Sequence, residues 1–243
     1  MSKEKQKLHL AEEYARRVRS GEILACEYVR LAVGRYYRDL DMALDRGWFF
    51  DRREAIRAIH FIECLKHTKG KWAGSRFRLE PWQQFVVWNI FGWKHADGTR
   101  RFRYTYIEIA RKNGKTALAA GIALYMLFAD GESRPEVYSA ATIKDQAKIC
   151  FSDAVAIVKA TDLKNYLTPF RNSIVYDLKG GTMKPLSSDY GTHDGLNPSC
   201  AIIDEFHAHK DSGMFDVLKS AFGARSPPLM LIITPAGFNN AGA

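Results

Sequence analysis

The chain has 243 residues, 47% hydrophobic and 26% charged, enough apolar material for a substantial core and too much for a disordered chain. No apolar run nears the roughly 20 residues that span a bilayer, and the N-terminus MSKEKQKLHLAEEYARR lacks the apolar stretch of a secretory signal, so a cytoplasmic protein is expected. The formal charge of +9 is uneven: residues 1–116 carry 25 Lys+Arg against 14 Asp+Glu, and residues 117–243 carry 11 against 13, which points to a polyanionic partner or to solvated helix faces.

From about residue 8 to 45, apolar residues recur at three- and four-residue intervals (Tyr14, Val18, Ile23 through Val33), predicting two helices broken near Gly21. A third helix is predicted from Arg52 to about Lys66 on the stripe Ala55, Ile56, Ile59, Phe61 and Ile62. The Gly- and Lys-rich stretch His67–Gly74 reads as a loop, and as the boundary between a helical N-terminal region (1–72) and a second domain (73–243). Pro81 opens a helix running to Gly92, since proline suits a first turn. After a loop at Asp97-Gly98, the β-rich stretch Tyr104–Ile109 ends in Arg111-Lys-Asn-Gly-Lys-Thr116, and a strongly apolar helix follows to about Ala129.

A strand is predicted at Glu136–Ala141 and a helix from Lys144 to about Ala160. Ser173–Asp177 and Thr182–Leu186 flank Gly180-Gly181, a hairpin signal, and two apolar strands follow at Cys200–Ile203 and Leu229–Thr234. Strands alternating with helices predict an α/β domain with a mostly parallel sheet covered on both faces. The four cysteines, Cys26, Cys64, Cys150 and Cys200, form no CxxC pair, so buried reduced thiols are expected rather than zinc ligands or disulfides.

Ile109-Ala-Arg-Lys-Asn-Gly-Lys-Thr116 matches the phosphate-loop pattern GxxxxGK[ST] except that Ile109 replaces the first glycine. Gly114 lets backbone N–H groups curl around phosphate oxygens, Lys115 reaches the β- and γ-phosphates, and Thr116 offers its hydroxyl to Mg²⁺. Cys200-Ala-Ile-Ile-Asp-Glu205 delivers two carboxylates at the end of an apolar strand, suiting Asp204 to hold magnesium and Glu205 to deprotonate an attacking water. Thr234, a polar residue at the end of a buried strand, is the candidate γ-phosphate sensor, and the Gln83 amide is suited to reading the edge of adenine. A competing reading groups Asp194, Asp204, Glu205, His207 and His209 as a transition-metal site of a nuclease.

Taken in order, these segments resemble the large terminase subunit of tailed bacteriophages. The resemblance is carried by Ser20–Cys26, Leu79–Gln83, Arg101–Ala120 and Val137–Thr142 with Asp145–Ala147. It continues through Asp204-Glu205-Phe-His207 and Ile233–Gly237, and Ala110–Thr116 is a loop variant that family uses. It implies a P-loop NTPase of the additional-strand, catalytic-glutamate (ASCE) type, with a mostly parallel central sheet flanked by helices, preceded by a helical N-terminal region. The implied activity is hydrolysis of ATP with Mg²⁺, coupled to translocation of double-stranded DNA into a procapsid.

The implied partners are double-stranded DNA, a portal protein, a small terminase subunit and further copies in a homo-oligomeric ring, with no membrane, in the host cytoplasm and transiently on the procapsid; the isolated chain is expected to be a monomer. In that frame Gln83 contacts adenine, and Arg111 contacts a phosphate. Lys112, Asn113, Gly114, Lys115 and Thr116 line the nucleotide, Glu205 is the base and Thr234 couples hydrolysis to motion. Arg134, Arg171 and Arg225 are candidates for an arginine acting on a neighbouring subunit. The C-terminal nuclease such chains carry is expected to be missing after Ala243. The residues also admit a helicase-like ATPase, or a non-catalytic DNA-binding module built on the basic N-terminal half.

Overall fold

The computed structural model describes residues 8–141, 144–186, 195–206, 212–225 and 227–235. The chain divides into two compact units, one of residues 1–60 with 78–102 and the other of residues 61–77 with 103–243. A sequence division at 72/73 assigns 78–102 to the second domain, whereas these residues belong with the first unit. The reason is packing: the helix that begins at Pro81 lies against the N-terminal helix of the chain.

In the first unit, α1 (Leu10–Arg19) starts on a reciprocal cap. The Ala11 N–H donates to His9 Nδ1 at 3.3 Å, and the His9 N–H donates to the Glu12 carboxylate at 2.8 Å. α2 (Glu27–Met42) follows, then β1 (Trp48–Phe50) and α3 (Arg52–Glu63). α4 (Pro81–Gly92) is buried at almost every position from Gln83 to Gly92, because it lies at the centre of an aromatic cluster. Tyr36 meets Phe50, Phe85 and Trp93 edge-on, and the Trp88 indole N–H donates to the Tyr36 hydroxyl at 3.3 Å. β2 (Trp93–His95) pairs antiparallel with β1, Phe50 opposite Trp93. Sequence patterning does not predict this three-residue ribbon, because so short a run shows no alternation.

The second unit is built on a seven-stranded sheet. Its elements are β3 (Tyr104–Glu108), α5 (Lys115–Phe128), β4 (Glu136–Ala140), α6 (Lys144–Ala160), β5 (Thr168–Pro169) and β6 (Ile174–Tyr176), then β7 (Gly181–Leu186), β8 (Cys200–Asp204), α7 (Gly213–Ala221) and β9 (Leu229–Thr234). The strand order is β3-β9-β8-β4-β7-β6-β5. The first five strands run parallel; β6 pairs antiparallel with β7, and β5 antiparallel with β6. The predicted hairpin is β6–β7, turned at Gly180, whose φ of 64° suits glycine.

β8 and β9 are buried along their whole length, as expected of parallel strands covered on both faces. α5 and α6 cover one face; α7 covers the other, where Met214, Leu218 and Phe222 meet Tyr138, Ala201, Ile203, Met230 and Ile232. The sequence does not predict α7, because it is short and its Ser212 N-cap makes no side-chain capping bond. The topology is that of the additional-strand class: β9 is inserted between the loop-bearing strand β3 and the acid-bearing strand β8. No helix among the described residues is long and apolar enough to cross a membrane. Cys150 and Cys200 are buried reduced thiols, but Cys26 and Cys64 are exposed, since both fall at helix ends rather than within the core.

Arg225 has a structural place rather than the outward one expected of an arginine that acts on a neighbour. Its side chain is 9% exposed and closes the N-terminal edge of the sheet. Nε donates to the Asn197 carbonyl at 2.7 Å, one terminal nitrogen to Glu132 at 2.9 Å and the Ser133 carbonyl at 3.0 Å, and the other to the Arg134 carbonyl at 2.8 Å. Arg134 and Arg171 are exposed. Because Arg225→Ala removes hydrogen bonds to three carbonyls and a carboxylate at once, several of them open to water, it is expected to lower the unfolding free energy by about 1–2 kcal/mol, read from a denaturant midpoint. An unchanged midpoint would show that the clamp carries no net stability.

Candidate active site

Three strand ends meet at one edge of the sheet. Parallel pairing sets Glu108 of β3 opposite Thr234 of β9, and Asp204 of β8 opposite Ile233, so all three strands finish at the same level. In open α/β sheets, ligands bind at this carboxyl edge. The loop after β3 is tied directly to the middle strand, since the Ile109 N–H donates to the Thr234 carbonyl at 3.1 Å.

The loop has the backbone of an anion cradle. Lys112 and Gly114 are both left-handed, with φ of 68° and 73°. Alternating left-handed residues turn successive N–H groups to one side. Gly114 is the N-cap of α5 and offers no side-chain acceptor, which leaves the first amides of a helix facing outward at its positive end. Asn113 braces the turn, Nδ2 donating to the Ala110 carbonyl at 3.0 Å and the Arg111 carbonyl at 3.3 Å. Arg111, Lys112 and Asn113 are exposed, and Thr116 is half-buried in the first turn of α5.

Lys115 is buried and reaches across to the acid strand, where its Nζ lies 2.5 Å from Glu205 Oε1. Glu205 itself is left-handed at φ 53°, and its N–H donates to Asp204 Oδ1 at 2.8 Å. Left-handed residues other than glycine cost on the order of 1 kcal/mol or more. Among the described residues they are Lys112, Arg134 and Glu205, so two of the three lie in this site.

Asp204 is 5% exposed, and burial raises its carboxyl above the usual carboxylate range, against the opposing pull of the Glu205 N–H and Lys115. Cys150 of α6 sits nearby, its thiol pushed well up by burial first and by the Asp204 charge second, so it is a neutral packing group. The sequence carries no sign of this neighbour, because only the docking of α6 brings it to β8. The two motifs assign Lys115 and Glu205, 90 residues apart, to one γ-phosphate, and the structure adds that the side chains form a direct ion pair.

The donor set fits magnesium. The Asp204 carboxylate and Thr116 hydroxyl are hard oxygen donors, and a buried carboxylate gains most from a divalent cation. No group of three or more His, Cys, Asp or Glu side chains with metal-binding geometry occurs among the described residues. Of the competing nuclease cluster, Asp194, His207 and His209 lie outside the described residues, and Glu205 is paired with Lys115. Gln83 belongs to the first unit and is buried rather than on the surface; its Oε1 accepts the Glu80 N–H at 2.9 Å as part of the α4 cap. Thr234 is buried, its hydroxyl donating to the Pro235 carbonyl at 3.2 Å.

The family described as "Terminase large subunit, ATPase domain" matches residues 81–243. The terminase large subunit of Enterobacteria phage HK97 is 30% identical over 193 residues, covering 76% of this chain and 37% of that protein. Protein YmfN of Escherichia coli K12 is 43% identical over 49 residues, covering 20% of this chain and 11% of that protein. The crystal structure of the HK97 large terminase superimposes with a TM-score of 0.66 at 27% identity, covering 77% of this chain and 39% of that one. The chain therefore spans well under half the length of these relatives.

The raised carboxyl of Asp204 has a definite consequence for stability. At neutral pH the native state bears the full penalty of a buried charge, and the penalty is relieved as pH falls through the folded pKa toward the ordinary aspartate value. Asp204→Asn is thus expected to melt at a higher temperature than the parent at pH 7, with the advantage shrinking in acid. A lower melting temperature at pH 7 would mean that the Lys115 and Glu205 contacts outweigh burial.

Proposed function

The chain belongs to the terminase large-subunit ATPase-domain family, and on that premise we propose that it hydrolyses ATP to drive double-stranded DNA into a procapsid. The observation that carries the reading is the 2.5 Å contact between Lys115 of the phosphate loop and Glu205 of the acid strand. One γ-phosphate seated over Gly114 lies within reach of both side chains.

Each residue then has a defined task. The N–H groups around Lys112 and Gly114 and the start of α5 cradle the phosphates. Asp204 and Thr116 hold magnesium, which when bound neutralises charge on the β- and γ-phosphate oxygens. Before nucleotide arrives, Lys115 is neutralised by Glu205. Phosphate oxygens compete for the lysine and free the carboxylate, which orients a water and accepts its proton as the water oxygen attacks the γ-phosphorus. The bond from that phosphorus to the bridging oxygen breaks, leaving ADP and inorganic phosphate.

Arg111, exposed on the loop, contacts a phosphate, and Gln83 reads adenine. Thr234 transmits the loss of the γ-phosphate, because it ends the strand whose carbonyl anchors the loop at Ile109. The whole machine acts as a homo-oligomeric ring with a portal protein and a small terminase subunit in the host cytoplasm. A nuclease reading gains nothing from the fold or from the relatives.

Two substitutions test these roles. Lys115→Ala is expected to lose nucleotide binding and turnover together. Glu205→Gln is expected to bind ATP at least as tightly as the parent, since the competing ion pair is gone, while turnover falls by roughly 10²–10⁴-fold. Hydrolysis at the parental rate by Glu205→Gln would remove Glu205 from the role of base.

A further inference from the structure

Away from the strand ends just described, at the opposite edge of the sheet, a groove of about 430 Å³ lies between α6 and the turn joining β5 to β6. One wall is a single stripe of α6 carrying Lys148, Ser152 and Lys159; the other is the turn residues Phe170, Arg171 and Asn172. The turn is held by the Phe170 N–H donating to the Ser173 carbonyl at 2.7 Å, so Arg171 is presented from a defined bend.

The charge of this groove is unlike that of its surroundings. Residues 117–243 hold 11 Lys+Arg against 13 Asp+Glu, yet three of those eleven cations line the groove and, among the described residues, no carboxylate does. Asp153 of α6, next to Ser152 in the chain, is paired with Lys69 instead. No ion pair engages Lys148, Lys159 or Arg171 among the described residues, whereas Lys115 and Arg225 of the same unit are both matched to carboxylates. Three cations along one groove with no ion-pair partner give it a positive potential, which an anion spread along the groove lowers.

The spacing selects an extended anion over a compact one. Lys148 and Lys159 are eleven residues apart on one helix, which is roughly 16 Å at the rise of an α-helix. A single phosphate or carboxylate cannot touch both, but a sugar–phosphate chain, with a charge about every 3.4 Å of helix axis per strand, can. Ser152 and Asn172 add neutral donors of the kind that bond phosphate oxygens, and the Phe170 ring, 56% exposed, offers an apolar face to sugar. We propose that this groove is a DNA-backbone site, gripping phosphodiesters through Lys148, Lys159 and Arg171 without reading bases. The choice of DNA as the polyanion rests on the packaging reading above; the site itself rests on the groove.

The test is a salt titration of binding to a short duplex of mixed sequence and to the matching single strand, by fluorescence anisotropy. Each phosphate contact contributes about 0.9 to the slope of log affinity against log salt on duplex DNA. The variant Lys148→Ala/Lys159→Ala/Arg171→Ala is therefore expected to lower that slope by about 2.7. A charge-matched control, Lys164→Ala/Lys179→Ala/Lys184→Ala, alters exposed lysines off the groove and is expected to leave the slope near the parental value. The single strand shows whether the grip needs duplex geometry; loss confined to the groove variant on either form supports the site. Equal slopes for the groove and control variants, or no DNA binding by the parent, would overturn it. DNA-free ATP turnover is measured alongside: the groove variant should keep it, and Lys115→Ala should lose it while still binding DNA, which separates failure of the groove from failure of the ATPase reading.

Discussion

Parallel pairing of β3, β9 and β8 is the constraint on which the rest of the site depends. Parallel neighbours in register finish together, so the phosphate loop, Thr234 and the Asp204-Glu205 pair all emerge at one edge of the sheet. A slip of one residue in β8 would turn Asp204 to the α7 face, away from the start of α5. Burial of β8 and β9 on both faces opposes any such slip, because every position would have to repack.

The strain of this arrangement is visible in the backbone and in the charges. Glu205 is held left-handed, Lys112 likewise, and Asp204 keeps its carboxylate where burial disfavours it. The Lys115–Glu205 pair offsets part of the electrostatic cost in the free protein and leaves two opposite charges ready to separate around a phosphate. The surrounding fold is correspondingly conventional: α5 is apolar almost throughout, and Arg225 closes the far edge with a full set of donors and acceptors.

Charge distribution looks different along the chain and in space. By sequence halves the protein is basic then slightly acidic, but the two compact units carry nearly equal charge: 17 Lys+Arg against 12 Asp+Glu in the first and 19 against 15 in the second. The informative unevenness is local. Lysines and an arginine from the nominally acidic half gather on one groove, because the chain leaving α6 turns back through β5 and sets the β5–β6 turn beside the helix.

Much of the architecture is legible from residue order alone. Pro81 at a first turn, the apolar run after Thr116, the Gly180-Gly181 hairpin and the strands ending at Asp204 and Thr234 all depend on local periodicity and turn chemistry, which a linear reading captures. The loop residues Arg111–Thr116 and the acid pair are legible for the same reason: strand-then-turn chemistry sits in one short segment. What tertiary structure decided was everything requiring two segments at once. It inserted β9 between β3 and β8, returned α4 to the N-terminal unit, committed Arg225 to a carbonyl cage, and joined Lys115 to Glu205 across 90 residues. Side-chain periodicity tells which face of an element is buried but not which partner buries it, and partners are set by the packing of the whole sheet.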